Sequence, residues 1–305
     1  MKLKRLIPVF LILFLFVLFF TNAKYTSNSI ADSIDFCLKT LIPSVFPFML
    51  VSSFLINSRL IDDIILKAKI PVENILGVCK IYLSSVILGS VSGYVTGPKC
   101  ICAIYSSSNS NDKESFSNSV ILSSNCGIGF VVSCVGIIIW DSITFGIFLY
   151  TLQILISLLL GKLLLKGNVK NYDYNISKRA DFTDSFTLSV TNTASSLIGI
   201  SAFVIFFSLL SDLSQLYIPK RYSGLLPIAL EFCKGVFYAK EFYSVGIGAF
   251  LTGFAIGFGG LCVAFQTFSV CSGYPLDKKK YLLFKLLHGV LLGISSLLFV
   301  SINNI

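Results

Sequence analysis

Few residues in this sequence can carry chemistry, and most of them stand beside breaks in apolar runs. Lys99 ends the stretch Ser92-Gly93-Tyr94-Val95-Thr96-Gly97-Pro98-Lys99, which follows the apolar run Ile81 to Val91. Two glycines and a proline so close together interrupt a helix. At membrane depth the freed backbone must be buried in protein or line a wet cavity. A lysine there needs water or an anionic partner. Freed amides beside a cation can bind an anion, as at the broken helices of transporters. The plainer alternative is that Lys99 snorkels from a helix end to the interface.

Other polar residues are placed in the same way. Asn125 lies in Ser123-Ser124-Asn125-Cys126-Gly127-Ile128-Gly129, and Gln266 follows Gly257-Phe258-Gly259-Gly260. Each either contacts a solute or satisfies backbone groups freed by the break. Glu231 and Lys234 have i,i+3 spacing, which makes them either a self-neutralising helix pair or a coupling or gating site. His288 lies in the last apolar run with Lys285 as its one titratable neighbour within a turn, and a packing role is favoured over proton transfer. No nucleophile–base pair or metal cluster is visible, so neither an enzyme nor a cofactor is expected. Nine scattered cysteines without C-x-x-C spacing, most of them in apolar segments, give neither a disulfide framework nor a zinc site.

The composition places these residues in a bilayer. Of the 305 residues, 55% are apolar and 13% charged, against about 25% charged in soluble chains. The fold class expected is an all-α polytopic membrane protein of roughly eight membrane segments. The net charge of +9 comes from lysines and arginines in short loops, as the positive-inside rule requires, and no basic stripe points to nucleic acid. Membrane lipid is therefore an expected partner, and a homo-oligomer is left open. Met1 to Arg5 is basic and Leu6 to Phe20 apolar, which favours an uncleaved first helix with its N-terminus inside over a signal peptide.

Four regions follow from these patterns. Residues 1–26 form the N-terminal anchor. Residues 27–165 form a first half: an amphipathic segment from Ser27 to Thr40, a kink or re-entrant piece at Pro43 and Pro47, the broken stretch at Gly93, an exposed turn from Ser106 to Ser119, the interrupted run around Asn125 and a plain spanning helix from Thr144 to Leu165. Residues 166–184 are a basic, cytoplasmic linker. Residues 185–305 form a second half with a break near Gly257, ending in a spanning helix from Tyr281 to Ser301. Gly89-x-x-x-Gly93-Tyr94 and Gly253-x-x-x-Gly257-Phe258 share one pattern, and the order of elements is shared too. This favours two related halves with broken or re-entrant helices, although G-x-x-x-G is also an ordinary packing motif of membrane helices.

At these residues the chain resembles the sporulation integral membrane proteins of the YlbJ (SpoVV) type, which carry the nucleoside-recognition gate domain. The resemblance rests on Pro43-Ser44-Val45-Phe46-Pro47-Phe48, on Ser92-Gly93-Tyr94 through Gly97 to Lys99, and on Asn125 to Gly127. It continues through Leu230-Glu231, Gly257-Phe258-Gly259-Gly260-Leu261 with Gln266, and Tyr281 through Lys285 to His288. Val95 and Pro98 depart from the family pattern, as does Cys126, where the family has serine followed by glycine and proline. The resemblance implies a transporter needed for endospore formation. It further implies movement of dipicolinic acid from the mother cell across the outer forespore membrane. A nucleoside or other small-solute permease and a non-transporting scaffold for spore cortex assembly are the alternatives. A small planar dianion would need cations or helix N-termini and flat surfaces for its ring. Lys99, Lys234, Tyr94 and Phe258 supply those types, with Gly93, Gly97 and Gly257 shaping the breaks.

Overall fold

The computed structural model describes residues 2–58, 60, 75–107, 112–165, 181–218 and 225–303. Every regular element among these residues is helical. Five helices are long and apolar enough to cross a membrane: Ala23–Asn57, Ile143–Leu164, Phe182–Gln215, Val245–Val270 and Lys278–Asn303. Three shorter apolar helices accompany them. Helix α1 (Lys2–Thr21) turns its phenylalanines, among them Phe10, Phe16 and Phe20, outward, the surface a helix needs in lipid.

Helices α2 (Ala23–Phe36) and α3 (Ile42–Asn57) form one rod of 35 residues, joined by a π-turn at Cys37–Leu41. The extra residue of a π-turn opens the hydrogen-bond ladder. It falls just ahead of Pro43, whose missing N–H and bulky ring would otherwise conflict with the preceding turn. No re-entrant piece forms at the two prolines, and the segment expected to be a separate amphipathic element is the first half of this rod.

The rest of the described chain alternates broken and unbroken helices. Helix α4 (Leu83–Ser92) breaks before α5 (Thr96–Ser107), and α6 (Lys113–Ser123) breaks before the π-helical segment Gly129–Ile139. The unbroken α7 (Ile143–Leu164) follows. Next come the 34-residue α8 (Phe182–Gln215), the broken pair α9 (Leu225–Leu230) and α10 (Phe232–Phe242), the broken pair α11 (Val245–Phe258) and α12 (Gly260–Val270), and the unbroken α13 (Lys278–Asn303).

Two antiparallel pairs of long helices frame these breaks. In the first, α8 runs against the α2–α3 rod. Asn22 Nδ2 donates to Tyr217 Oη at 3.3 Å near one end, and Asn57 Nδ2 donates to Ser189 Oγ at 2.8 Å near the other. In the second, α7 runs against α13, with Phe148 stacked on Phe299 at 4.1 Å and the Gln153 carbonyl 2.9 Å from His288 Nε2.

The turn expected from Ser106 to Ser119 is a helix from Lys113 onward, and Ser115 to Ser119 are buried. Asp112 caps it through the Ser115 amide at 2.9 Å, and Ser119 donates to the Ser115 carbonyl at 2.7 Å. Asn118 Nδ2 bonds the carbonyls of Gly77 and Leu165 at 3.0 and 2.9 Å. Serines that satisfy themselves on the preceding turn can be buried at little cost, which a reading of polarity alone misses. The greater part of the loop between Asn57 and Glu73, and residues 166–180 of the basic linker, lie outside the described residues.

Close backbone contacts hold the broken helices in place. A Cβ on Gly89 would lie 2.6 Å from Gly97 Cα, and one on Gly257 would lie 2.6 Å from Gly289 Cα. In a bilayer, where lipid is as apolar as the side chains, such close approach is a main source of helix association. Gly89→Val should therefore lower the melting temperature of the purified protein sharply, with an overpacking cost of about 1–3 kcal/mol or more. Gly199→Ala, at a site with nothing within 4 Å, should leave it unchanged or slightly raised.

Candidate functional site

The breaks come together in pairs. Gly93 has φ 119° and ψ 175°, a conformation for glycine alone. It faces Gly127, where a Cβ would stand 2.9 Å from the Ser92 carbonyl oxygen. On the other side Gly259 and Gly260 have φ of 79° and 72°, and a Cβ on Gly260 would stand 3.1 Å from the Leu230 carbonyl.

Tyr94 joins the two pairs. Its ring meets Phe232 edge-on at 5.3 Å, Phe232 meets Phe130 at 5.2 Å, and the Tyr94 hydroxyl donates to the Ile256 carbonyl. Against these rings lies a cavity of about 50 Å³. Gly93, Tyr94, Cys126, Phe232, Cys233 and Gln266 line it from the breaks, and the rod and α8 close it with Leu41, Val45, Leu197 and Val204.

Side chains satisfy the backbone groups that the breaks set free. Helix ends leave carbonyls and amides unpaired, and in apolar surroundings each must find a partner. Gln153 Nε2 donates to the Cys126 carbonyl and Asn125 Nδ2 to that of Leu122, both at 2.8 Å. Lys285 Nζ donates to the Ser124 carbonyl at 2.7 Å. The Glu231 carboxylate accepts from the amides of Cys233 at 3.0 Å and Lys234 at 2.8 Å, capping α10. Tyr94 does the same for the end of α11.

Lys285 is the unusual member of this set. It is 1% exposed, it is in none of the ion pairs among the described residues, and its ammonium stands 5.1 Å over the Tyr94 ring. It does not itself line the cavity but lies behind Tyr94.

The expected site residues divide accordingly. Gly93, Tyr94 and Gln266 line the cavity, with Gln266 Nε2 3.3 Å from Cys262 Sγ. Asn125 supports the second break and His288 bonds the Gln153 carbonyl between α7 and α13. Gly97 packs on Ser123 and Gly89, Gly257 packs on Gly289, and Phe258 lies beside that same seam. These three serve helix packing. Lys99 is not in open backbone: the break ends at Val95, Lys99 occupies the first turn of α5, and its amide is bonded to the Val95 carbonyl at 3.1 Å. Its ammonium reaches Ser196 Oγ at 3.2 Å. Glu231 and Lys234 do not form a pair along one helix. Glu231 is the extended residue before α10, and Lys234 Nζ is 2.6 Å from Asp212 Oδ2.

The sequence patterns single out neither Asp212 nor Gln153, and Lys285 enters them as a neighbour of His288. The available signal was a lysine inside the last apolar run, one turn from His288. Comparison with protein-family models, curated proteins and solved structures finds no match.

Tyr94→Phe keeps the ring and removes one donor, leaving the Ile256 carbonyl without it. It should destabilise the purified protein by about 1–3 kcal/mol, the cost of an unsatisfied buried acceptor, read as a fall in melting temperature. An unchanged melting temperature would mean that this carbonyl is satisfied in another way.

Proposed function

We propose that this chain is a membrane transporter for a small anionic solute, with Lys285 as the cation that compensates the solute's charge. The observation that carries the reading is the burial of Lys285 without an acidic partner among the described residues, behind a tyrosine that lines a cavity at converging helix breaks. An ammonium held away from water is costly unless a counter-charge can reach it. A broken-helix site at mid-bundle is where transporters place their solutes. The rings of Tyr94, Phe130 and Phe232 offer flat surfaces to a planar solute.

The resemblance to the sporulation membrane proteins makes dipicolinate the candidate solute. The role is then export from the mother cell across the outer forespore membrane during endospore formation, with a multi-pass protein resident there.

The element order supports an architecture of two related, inverted halves. A long rod, two broken helices and a long helix occur in residues 23–164 and again in 182–303. The rods run antiparallel to each other, and so do the final helices, as an inverted repeat requires. On this pairing Gly93 corresponds to Glu231 and Gly127 to Gly260. The G-x-x-x-G-aromatic motifs then fall on different breaks, and Tyr94 meets its own counterpart, Phe232. The five long helices and three shorter apolar ones support a count of about eight membrane segments.

A second reading has its own observation. The buried side-chain oxygens of Asn125 and Gln153 have no hydrogen-bond partner among the described residues. Two free acceptors suit a solute that donates hydrogen bonds, such as a nucleoside.

Flux into proteoliposomes separates the readings. Dipicolinate uptake should be seen and should fall at least tenfold in Lys285→Met, a substitution of similar length that leaves no buried charge. Uptake of uridine with none of dipicolinate would favour the permease. Normal dipicolinate flux through Lys285→Met would remove Lys285 from the binding site.

A further inference from the structure

The α2–α3 rod and α8 are joined near both ends, and the cavity lies between the junctions. Leu41 and Val45 on the rod and Leu197 and Val204 on α8 reach the cavity. Each rod junction stands roughly a dozen residues from these positions, which at the rise of a helix is about 18 Å.

The two junctions differ in chemistry. At one, Asn57 meets Ser189 and Phe54 meets Phe182, so the joining side chains are neutral, with the exposed Asp181 and Asp184 on either side of Phe182. At the other, Asp212 on α8 is paired with Lys234 on α10 at 2.6 Å. Ser29 of the rod donates to the same carboxylate at 2.5 Å, and Tyr25 Oη donates to the Asp212 carbonyl at 3.2 Å. The pair therefore ties three helices together, and its side chains are 17% and 12% exposed. The other ion pairs among the described residues, Lys39–Asp35 and Lys280–Glu114, each have a partner more than half exposed.

Lys234 sits in the first turn of α10, directly after the break at Glu231, and its neighbour Cys233 lines the cavity. Lys99, bonded to Ser196, lies toward the neutral junction and has no acidic partner in any described ion pair.

We propose that Asp212–Lys234 is an ionic latch closing one mouth of the cavity, and that the neutral mouth, with Lys99 beside it, is the one through which an anion is drawn in. Displacing the start of α10, which carries a cavity wall, separates the two charges and frees α10 from α8 at that end, while Ser29 and Tyr25 still hold the rod to α8. Breaking a well-shielded pair leaves a charge uncompensated, so the latch holds until the cavity wall moves. At the neutral mouth Lys99, bonded at Ser196 and so set farther along α8 than the exposed Asp181 and Asp184, offers an entering anion its counter-charge. The proposal rests on reading the cavity as a transport site.

Access of an impermeant maleimide to single introduced thiols tests the latch in the full chain in membrane vesicles, with labelling at each position read by mass spectrometry. Val204→Cys lies on the latch side of the cavity and Leu197→Cys on the neutral side. Adding Asp212→Asn should raise the labelling rate of Val204→Cys at least tenfold, from one face of the membrane, and leave Leu197→Cys within twofold. Exchanging the charges, Asp212→Lys with Lys234→Asp, should return the slow rate. An unchanged rate at Val204→Cys, an equal rise at both positions, or failure of the exchanged pair to restore the slow rate would overturn the latch. No solute enters this readout, so its failure is distinct from failure of the transport reading, which solute flux decides.

Discussion

A helix interrupted inside an apolar bundle leaves its last carbonyls and first amides without partners, and no water is at hand to supply them. Much of this structure answers that constraint. The ends at Leu122, Ser124 and Cys126 are met by side chains from the same break, from α7 and from α13. The start of α10 is met by the Glu231 carboxylate, and the end of α11 by a tyrosine from the first break. Because Tyr94 and Lys285 reach breaks on the other side of the molecule, neither set of broken helices is satisfied alone. Of these groups Tyr94 also lines the cavity, and Lys285 lies behind it.

This arrangement explains how so greasy a chain can keep charges inside. Glu231 faces amides and Asp212 faces an ammonium and a hydroxyl. Lys285 has a carbonyl and the face of an aromatic ring. A carbonyl and a ring face are both electron-rich but neither carries a full charge, so they hold a lysine without neutralising it. The other buried ionic groups have structural work that accounts for them. Lys285 is in none of the ion pairs among the described residues, and the transport reading supplies it with a counter-ion.

What could be read from the sequence follows the physics of single residues. The breaks at Gly93, Gly127 and Gly259 were legible because glycine clusters in apolar runs announce backbone that side chains forbid. The break at Glu231 was not resolved in the same way. It has no glycine, and a carboxylate that caps the next helix looks, by spacing alone, like half of an i,i+3 pair. Pro98 reads in sequence as a continuation of the first break and so puts Lys99 in it, but proline is tolerated in the first turn of a helix, and the break closes at Val95. The paired prolines at Pro43 and Pro47 pointed to an interruption, and a π-turn absorbed it. The pairing of Asp212 with Lys234 joins separate helices and left no mark in local sequence.

The central claim is that a small anion sits among Tyr94, Phe232 and Lys285. The most direct measurement is a crystallographic one, using a pyridine dicarboxylate that carries an iodine atom as the ligand. Its anomalous signal should appear at the cavity beside Tyr94, with a carboxylate within hydrogen-bond distance of Lys285 Nζ, and should vanish in Lys285→Met crystals grown in the same way. A signal at Lys99 or elsewhere on the surface, with the cavity empty and Lys285 still on the Ser124 carbonyl, would contradict the account.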